Sequence, residues 1–154
     1  MANKSLKSRT RQDYPYILEY RTRWSDNDMY NHMNNTIYNQ LFDSVINAYL
    51  IDHGLDPATS PQHPLMARTS VDYFGSISYP AVAELSLRVN HLGKSSATYE
   101  VGLFEKNVKG IRAVGEFVHV FVDRETGRPN VNGMNSILRQ SLEKILVKSL
   151  KGKI

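Results

Sequence analysis

The residues best equipped for chemistry lie in one polar run, Trp24-Ser25-Asp26-Asn27-Asp28-Met29-Tyr30-Asn31-His32-Met33-Asn34-Asn35-Thr36-Ile37-Tyr38. It stands between an alternating, strand-like segment and a long apolar helical pattern. A carboxylate delivered to such a turn can act as a general base or as a nucleophile, and Asp28 is the one nearer the helix. The helix start adds chemistry of its own. Its first N–H groups lack intrahelical acceptors and carry the positive end of the peptide dipoles, so one of them can receive an oxyanion. Asn34 and Asn35 are both favourable N-cap types. A carboxylate beside an oxyanion donor points to acyl chemistry. The same residues also fit a purely architectural reading, in which Asp26, Asp28 and the asparagines form an Asx-type turn and cap a core helix.

The elements that must hold this run follow from periodicity. Ile37, Tyr38, Leu41, Phe42, Val45, Ile46, Tyr49 and Leu50 recur in adjacent pairs every four residues, the spacing of a broad buried face on a helix from Asn35 to about His53. Gly54 fits its C-terminal cap. Upstream, Tyr16, Leu18, Tyr20, Thr22 and Trp24 alternate with Ile17, Glu19, Arg21 and Arg23, which predicts a half-buried first strand. Pro57, Pro61 and Pro64 mark an irregular connector. Strands are expected near Leu65–Phe74, Glu84–Leu92, Ser96–Glu105 and Arg112–Asp123, with hairpin turns at Gly93-Lys94 and Asn107–Gly110. From Met134 on, Ile137, Leu138, Leu142, Ile145, Leu146 and Leu150 predict a second amphipathic helix over about 135–150, packed on the sheet or on a neighbouring subunit, with an anionic membrane surface as the alternative.

Composition limits the answer further. A chain of 154 residues with 41% hydrophobic content suits one domain, here residues 13–154 after a basic leader of residues 1–12 expected to be disordered. The net charge of +4 belongs to the ends: residues 1–12 and 134–154 hold nine of the nineteen Lys and Arg but one of the fifteen Asp and Glu. The remainder is acidic, which argues against a nucleic-acid partner. With no cysteine there is no disulfide, thiol nucleophile or thiolate metal site. The five histidines lack metal-ligand spacing, and neither a phosphate-binding Gly-rich loop with Lys-Ser/Thr nor a Gly-x-Ser-x-Gly elbow occurs. No apolar run reaches eighteen residues, so stable membrane insertion is not expected. A cytoplasmic location is the default, and the Ser- and Arg-bearing N-terminus is a weak signal for organelle targeting.

The polar run resembles the signature of the 4-hydroxybenzoyl-CoA thioesterase-like family of hotdog-fold acyl-CoA thioesterases. Asp26, Asp28, His32, Asn34, Asn35 and Tyr38 fall on its positions without a gap, with Asn31 where the family usually has Gly. Asn tolerates the left-handed backbone better than most residues. Asp72-Tyr73, the Leu92–Ser96 turn and Asp123–Pro129 are similar to later family segments, so the likeness covers about residues 16–130. Tyr79–Glu84 lacks the Gly-Asp pair that members often carry.

The resemblance implies an α+β hotdog fold, a curved antiparallel five-stranded sheet wrapped around a long central helix, with an additional C-terminal helix here. It implies hydrolysis of an acyl-CoA thioester without a cofactor or metal. Asp28 would be base or nucleophile, with Asp26 secondary, and the Asn35 backbone amide the oxyanion donor. His32 and Asn34 would fix the turn or touch the acyl group, Tyr38 would line the acyl pocket, and Lys94, Ser95 and Ser96 would meet CoA. It further implies a homodimer or homotetramer, with residues between Met66 and Phe74 contributing across the interface. The alternatives are a hotdog hydratase or dehydratase, whose Asn-Pro pair has no counterpart beside Asn34-Asn35, and a catalytically silent acyl-CoA-binding protein.

Overall fold

The expected apolar stripe forms the buried face of the long helix. In the computed structural model, which describes residues 6–148, Tyr38, Leu41, Phe42, Val45, Ile46, Tyr49 and Leu50 are the buried residues of α1 (Asn35–Asp52). Gly54, at φ 110°, ends it where a side-chain-bearing residue would be strained. Around the helix lie β1 (Tyr16–Arg21), β2 (Gln62–Tyr73), β3 (Val82–Leu92), β4 (Ser96–Glu105) and β5 (Ile111–Asp123), followed by α2 (Ser136–Glu143). The strands form a single antiparallel sheet in the order β1-β3-β4-β5-β2. Its inner face, with Leu85, Leu87, Tyr99, Val101, Leu103 and Phe117, shares one core with α1. At Gly115 of β5 the Phe42 side chain of α1 packs against bare backbone: an added Cβ would lie 2.5 Å from it. This is the hotdog architecture.

Three boundaries depart from the sequence expectations. The first strand stops at Arg21 instead of reaching Trp24, because Trp24–Asp26 turns into one turn of 3-10 helix closed by the Arg23 N–H on the Asp26 carboxylate at 2.8 Å. β2 begins at Gln62 and runs through Pro64, whose missing N–H an edge strand tolerates. The C-terminal helix is shorter than the expected 135–150: it ends at Glu143, and Ile145–Val147 pair with Val89 instead. There β3 has run past the end of β1, whose last partner is Leu87, and offers open backbone groups. Leu150 lies outside the described residues.

The outer face of the sheet is partly covered by the segment expected to be a disordered leader. From Leu6 onward it is packed in place, while residues 1–5 lie outside the described residues. The Arg9 guanidinium donates to both carboxylate oxygens of Glu100 at 3.0 and 3.1 Å, and Tyr14 Oη donates to the same group at 2.6 Å. Arg11 pairs with Glu84 at 2.8 Å and stacks on Phe104. Burial of Glu100 works against its charge, but the donors Arg9, Tyr14 and Asn90 outweigh it and hold its carboxyl below the usual range. Two of the basic residues of the expected leader, Arg9 and Arg11, thus have acidic partners on the sheet.

Candidate active site

The Asp28 loop is a small hairpin tied at several points. Asp26, with no exposed surface, accepts hydrogen bonds from Tyr20 Oη and the Arg23 N–H, both at 2.8 Å, and from the Arg23 guanidinium at 3.0 Å. Burial alone would raise its pKa, yet these donors lower it below the ordinary carboxylate value. The Asp26 carbonyl takes the Asn34 N–H at 2.8 Å, and Asn27 bridges Met33. Asp28 N–H donates to the His32 carbonyl at 2.9 Å, and Asn31 N–H to the Asp28 carbonyl at 3.1 Å. Asn31 has φ 64°, the left-handed conformation that Gly adopts most readily and Asn tolerates. Met33 N–H donates to the Ile77 carbonyl at 2.8 Å, which ties the hairpin to the β2–β3 connection.

Asp28 itself is half-buried, and its Oδ1 accepts the Tyr30 N–H at 2.8 Å. It lines a cleft of about 470 Å3 together with His32, Asn35, Tyr38, Tyr73 and Gly75. An adjoining cleft of about 600 Å3 shares Asp28 and Tyr30 and is walled by Trp24, Met29 and Asn34.

At the start of α1, the Asn34 side chain accepts the Thr36 N–H at 2.9 Å, and the Asn34 carbonyl accepts the Ile37 N–H at 2.9 Å. The Asn35 N–H has no acceptor among the described residues. It is therefore the open donor at the positive end of the helix.

Asp28, His32, Asn35 and Tyr38 thus meet at one cleft. His32 is exposed there. Tyr38 is 3% exposed and packs edge-on against Tyr73 at 5.0 Å. Burial raises the Tyr38 hydroxyl pKa, opposed by a hydrogen bond from the Ile77 backbone N–H. Asn34 lines the adjoining cleft, with its Oδ1 committed to Thr36.

Lys94, Ser95 and Ser96 are not brought to this site within one chain. They occupy the β3–β4 hairpin, whereas the Val82 end of β3 is the one near Thr22 and the Asp28 loop. Ten residue steps of strand separate the two ends, roughly 30 Å.

Sequence reasoning missed Gly75 and Ser76, in the turn after β2, and expected Tyr73 and Phe74 only from across an interface. Tyr73, Phe74, Gly75 and Ser76 line the cleft of their own chain. Tyr73 and Phe74 belong to the Met66–Phe74 segment expected to contribute across an interface; antiparallel pairing of β2 with β5 returns them to the start of α1. Among the described residues no group of three His, Cys, Asp or Glu side chains is placed to hold a metal, and no helix is long and apolar enough to cross a membrane.

A five-stranded antiparallel sheet around one helix, with a carboxylate loop at the helix start, defines the class of protein. The thioesterase-like superfamily profile matches residues 22–140, and the chain belongs to that superfamily. Among solved structures it is similar to the PA5185 protein of Pseudomonas aeruginosa, at 39% identity and TM-score 0.84 over 88% of this chain and 94% of that one. It shares its fold with a thioesterase from Thermus thermophilus complexed with coenzyme A and Zn, at 22% identity and TM-score 0.74 over 87% and 96% of the two chains. The same holds for the SAV2348 protein of Staphylococcus aureus in complex with CoA, at 16% identity and TM-score 0.77 over 90% and 92%. No curated protein matches this chain.

Proposed function

We propose that this protein hydrolyses an acyl-CoA thioester to the free acid and CoA, as a 4-hydroxybenzoyl-CoA thioesterase-like enzyme. The observation that carries this reading is the shared cleft of Asp28 and the open Asn35 N–H. A thioester carbonyl between them has its oxygen at the amide and its carbon facing the carboxylate. Asp28 then either takes a proton from an attacking water or attacks the carbonyl itself, giving an acyl–Asp28 anhydride that water opens. In both routes the negative charge of the tetrahedral intermediate falls on the carbonyl oxygen, and its collapse expels the CoA thiolate. Loss of one such oxyanion donor typically costs roughly 3 kcal/mol of transition-state stabilisation. His32 and Tyr38 shape the cleft around the acyl group, and no cofactor enters the reaction. The CoA carried by two proteins of the same fold supports the choice of thiol.

A homodimer completes this reading. β2 is an edge strand whose middle, including Leu65 at 48% and Met66 at 39% exposure, is open on its unpaired side. An open edge strand of that length, apolar at Leu65 and Met66, invites pairing with a second copy. In such an assembly Lys94, Ser95 and Ser96 serve CoA at the site of a neighbouring subunit.

A panel of short, long and aromatic acyl-CoA esters tests the reaction. Free thiol should appear with at least one ester, and Asp28→Asn should lower its release by roughly 100- to 10,000-fold with folding intact. Wild-type rates in Asp28→Asn would rule out the mechanism. Tight ester binding without thiol from any ester would mark a silent binder, and a change in double-bond absorbance without thiol would mark a hydratase.

A further inference from the structure

β5 opens on a bulge that presents one cation to the wall of the cleft. Ile111 pairs with Phe104 and Ala113 with Leu103, so Arg112 is the extra residue between them. Its carbonyl accepts the N–H groups of Phe74 at 2.7 Å and Gly75 at 3.0 Å. The guanidinium lies directly behind Gly75: a Cβ added there would come within 2.8 Å of Arg112 Nη1. Gly75 in turn lines the cleft with Asp28, Asn35 and Tyr38. The charge is felt across that wall. After burial, the Ile77 N–H and the neighbouring Tyr73, Arg112 is a further influence on the Tyr38 hydroxyl, and it acts to lower its pKa.

Among the described residues this guanidinium is short of acceptors: its Nε is buried without a hydrogen-bond partner, and its one ion pair, with Glu105, is 3.8 Å long, beyond hydrogen-bond reach. A buried cationic donor left in that state is costly, and a ligand carboxylate is the group that matches it in charge and in its two-oxygen geometry. The side chain is 30% exposed, and only Gly75, which has no side chain, stands between its guanidinium and the cleft. Deeper passage between helix and sheet is closed, since Phe42, Val45 and Ile46 are fully buried and Gly115 touches Phe42. An acyl group entering past Asp28 therefore ends near Tyr73 and Gly75.

We propose that Arg112 reads the far end of the acyl group, and that the preferred substrates are short acyl-CoA esters whose acyl part ends in a carboxylate. The inference rests on the thioesterase reading for its reaction, but not for its binding test. The probes are two non-hydrolysable CoA thioethers of equal chain length, one ending in a methyl group and one in a carboxylate. Calorimetry on the wild-type protein should show the carboxylate probe binding about tenfold tighter or more. Arg112→Gln should abolish that ratio and Arg112→Lys should restore part of it. Gly75→Ala, which pushes the guanidinium aside without removing its charge, should also reduce it and keeps the idea testable if Arg112→Gln fails to fold. A wild-type ratio near one, or a ratio that survives in Arg112→Gln, overturns the proposal. The matching esters are assayed in parallel. Binding preference without any hydrolysis would uphold Arg112 and sink the thioesterase reading, whereas hydrolysis without preference would do the reverse.

Discussion

At residue 31 the backbone must turn left-handed to bring His32 back over Asp28, and Asn31 does so at φ 64°. Asn31→Gly should therefore leave thermal stability nearly unchanged, while Asn31→Ala should cost about 1 kcal/mol, measurable as a denaturant midpoint shift. Equal losses in both would place the role of Asn31 in its side chain. Asp26 and Asp28 illustrate how much environment separates identical residues two positions apart. Asp26 is fully enclosed by Tyr20 and Arg23, and its carboxylate spends its acceptor capacity on holding the loop. Asp28 keeps an open face to the cleft. Asp26→Asn is accordingly expected to lower stability as well as turnover, because the buried position loses the charge that the Tyr20 and Arg23 donors meet. Asp28→Asn is expected to lower turnover alone. Chemical denaturation run beside the thiol-release assay separates the two, and an Asp28→Asn variant as unstable as Asp26→Asn would count against this division of labour.

At the scale of elements, one tight contact between helix and sheet is the Phe42 side chain packed on Gly115. A methyl group there would sit 2.5 Å from Phe42 and 2.6 Å from Phe117, so Gly115→Ala should destabilise the fold by about 1–3 kcal/mol. Pairing it with Phe42→Leu should recover part of that loss, and an unchanged melting temperature in Gly115→Ala would show that the helix can lift without cost. The strands and α1 were legible in the sequence because their periodicity is strong. The limits of β1 and α2 were not. Tyr20–Arg23–Asp26 closes β1 early through a side-chain network that alternation cannot reveal, and the amphipathic pattern after Glu143 persists although Ile145–Val147 satisfy their backbone against β3. Tertiary hydrogen bonding overrode a valid local period.

Across the whole molecule, one buried group gives the fold a pH dependence. His119 is 3% exposed, its Nδ1 lies 3.2 Å from Tyr99 Oη, and burial lowers its pKa to about 4. In the window between its ordinary value near 6.5 and about 4, the unfolded chain takes up a proton that the folded one refuses, so stability is complete above the window and falls as the pH drops through it. The loss from this residue alone should be about 2 kcal/mol between roughly pH 7 and pH 5. His119→Phe should flatten the melting temperature over that range, and an unaltered slope would show that other groups carry it. On the outer face, Arg9, Arg11 and Tyr14 bind Glu100 and Glu84. From Leu6 onward, the segment that composition marked as disordered thus becomes part of the sheet's cover, because its polar groups meet partners 73 to 91 positions away in the chain.

What the sequence by itself determined was local. The apolar stripe of α1, the alternation in the strands and the order of polar residues from Asp26 to Tyr38 follow from spacing along a few turns of backbone, and spacing is written in the chain. Four of the expected site residues, Asp28, His32, Asn35 and Tyr38, meet at one cleft because all lie within eleven consecutive positions. Tertiary structure alone decided what faces them. Antiparallel pairing of β2 with β5 returns Tyr73 and Gly75 to the start of α1, the β5 bulge sets Arg112 behind them, and the length of β3 carries Lys94, Ser95 and Ser96 to the far end. Those placements depend on strand register and direction, properties of pairs of segments distant in the chain that no local pattern encodes.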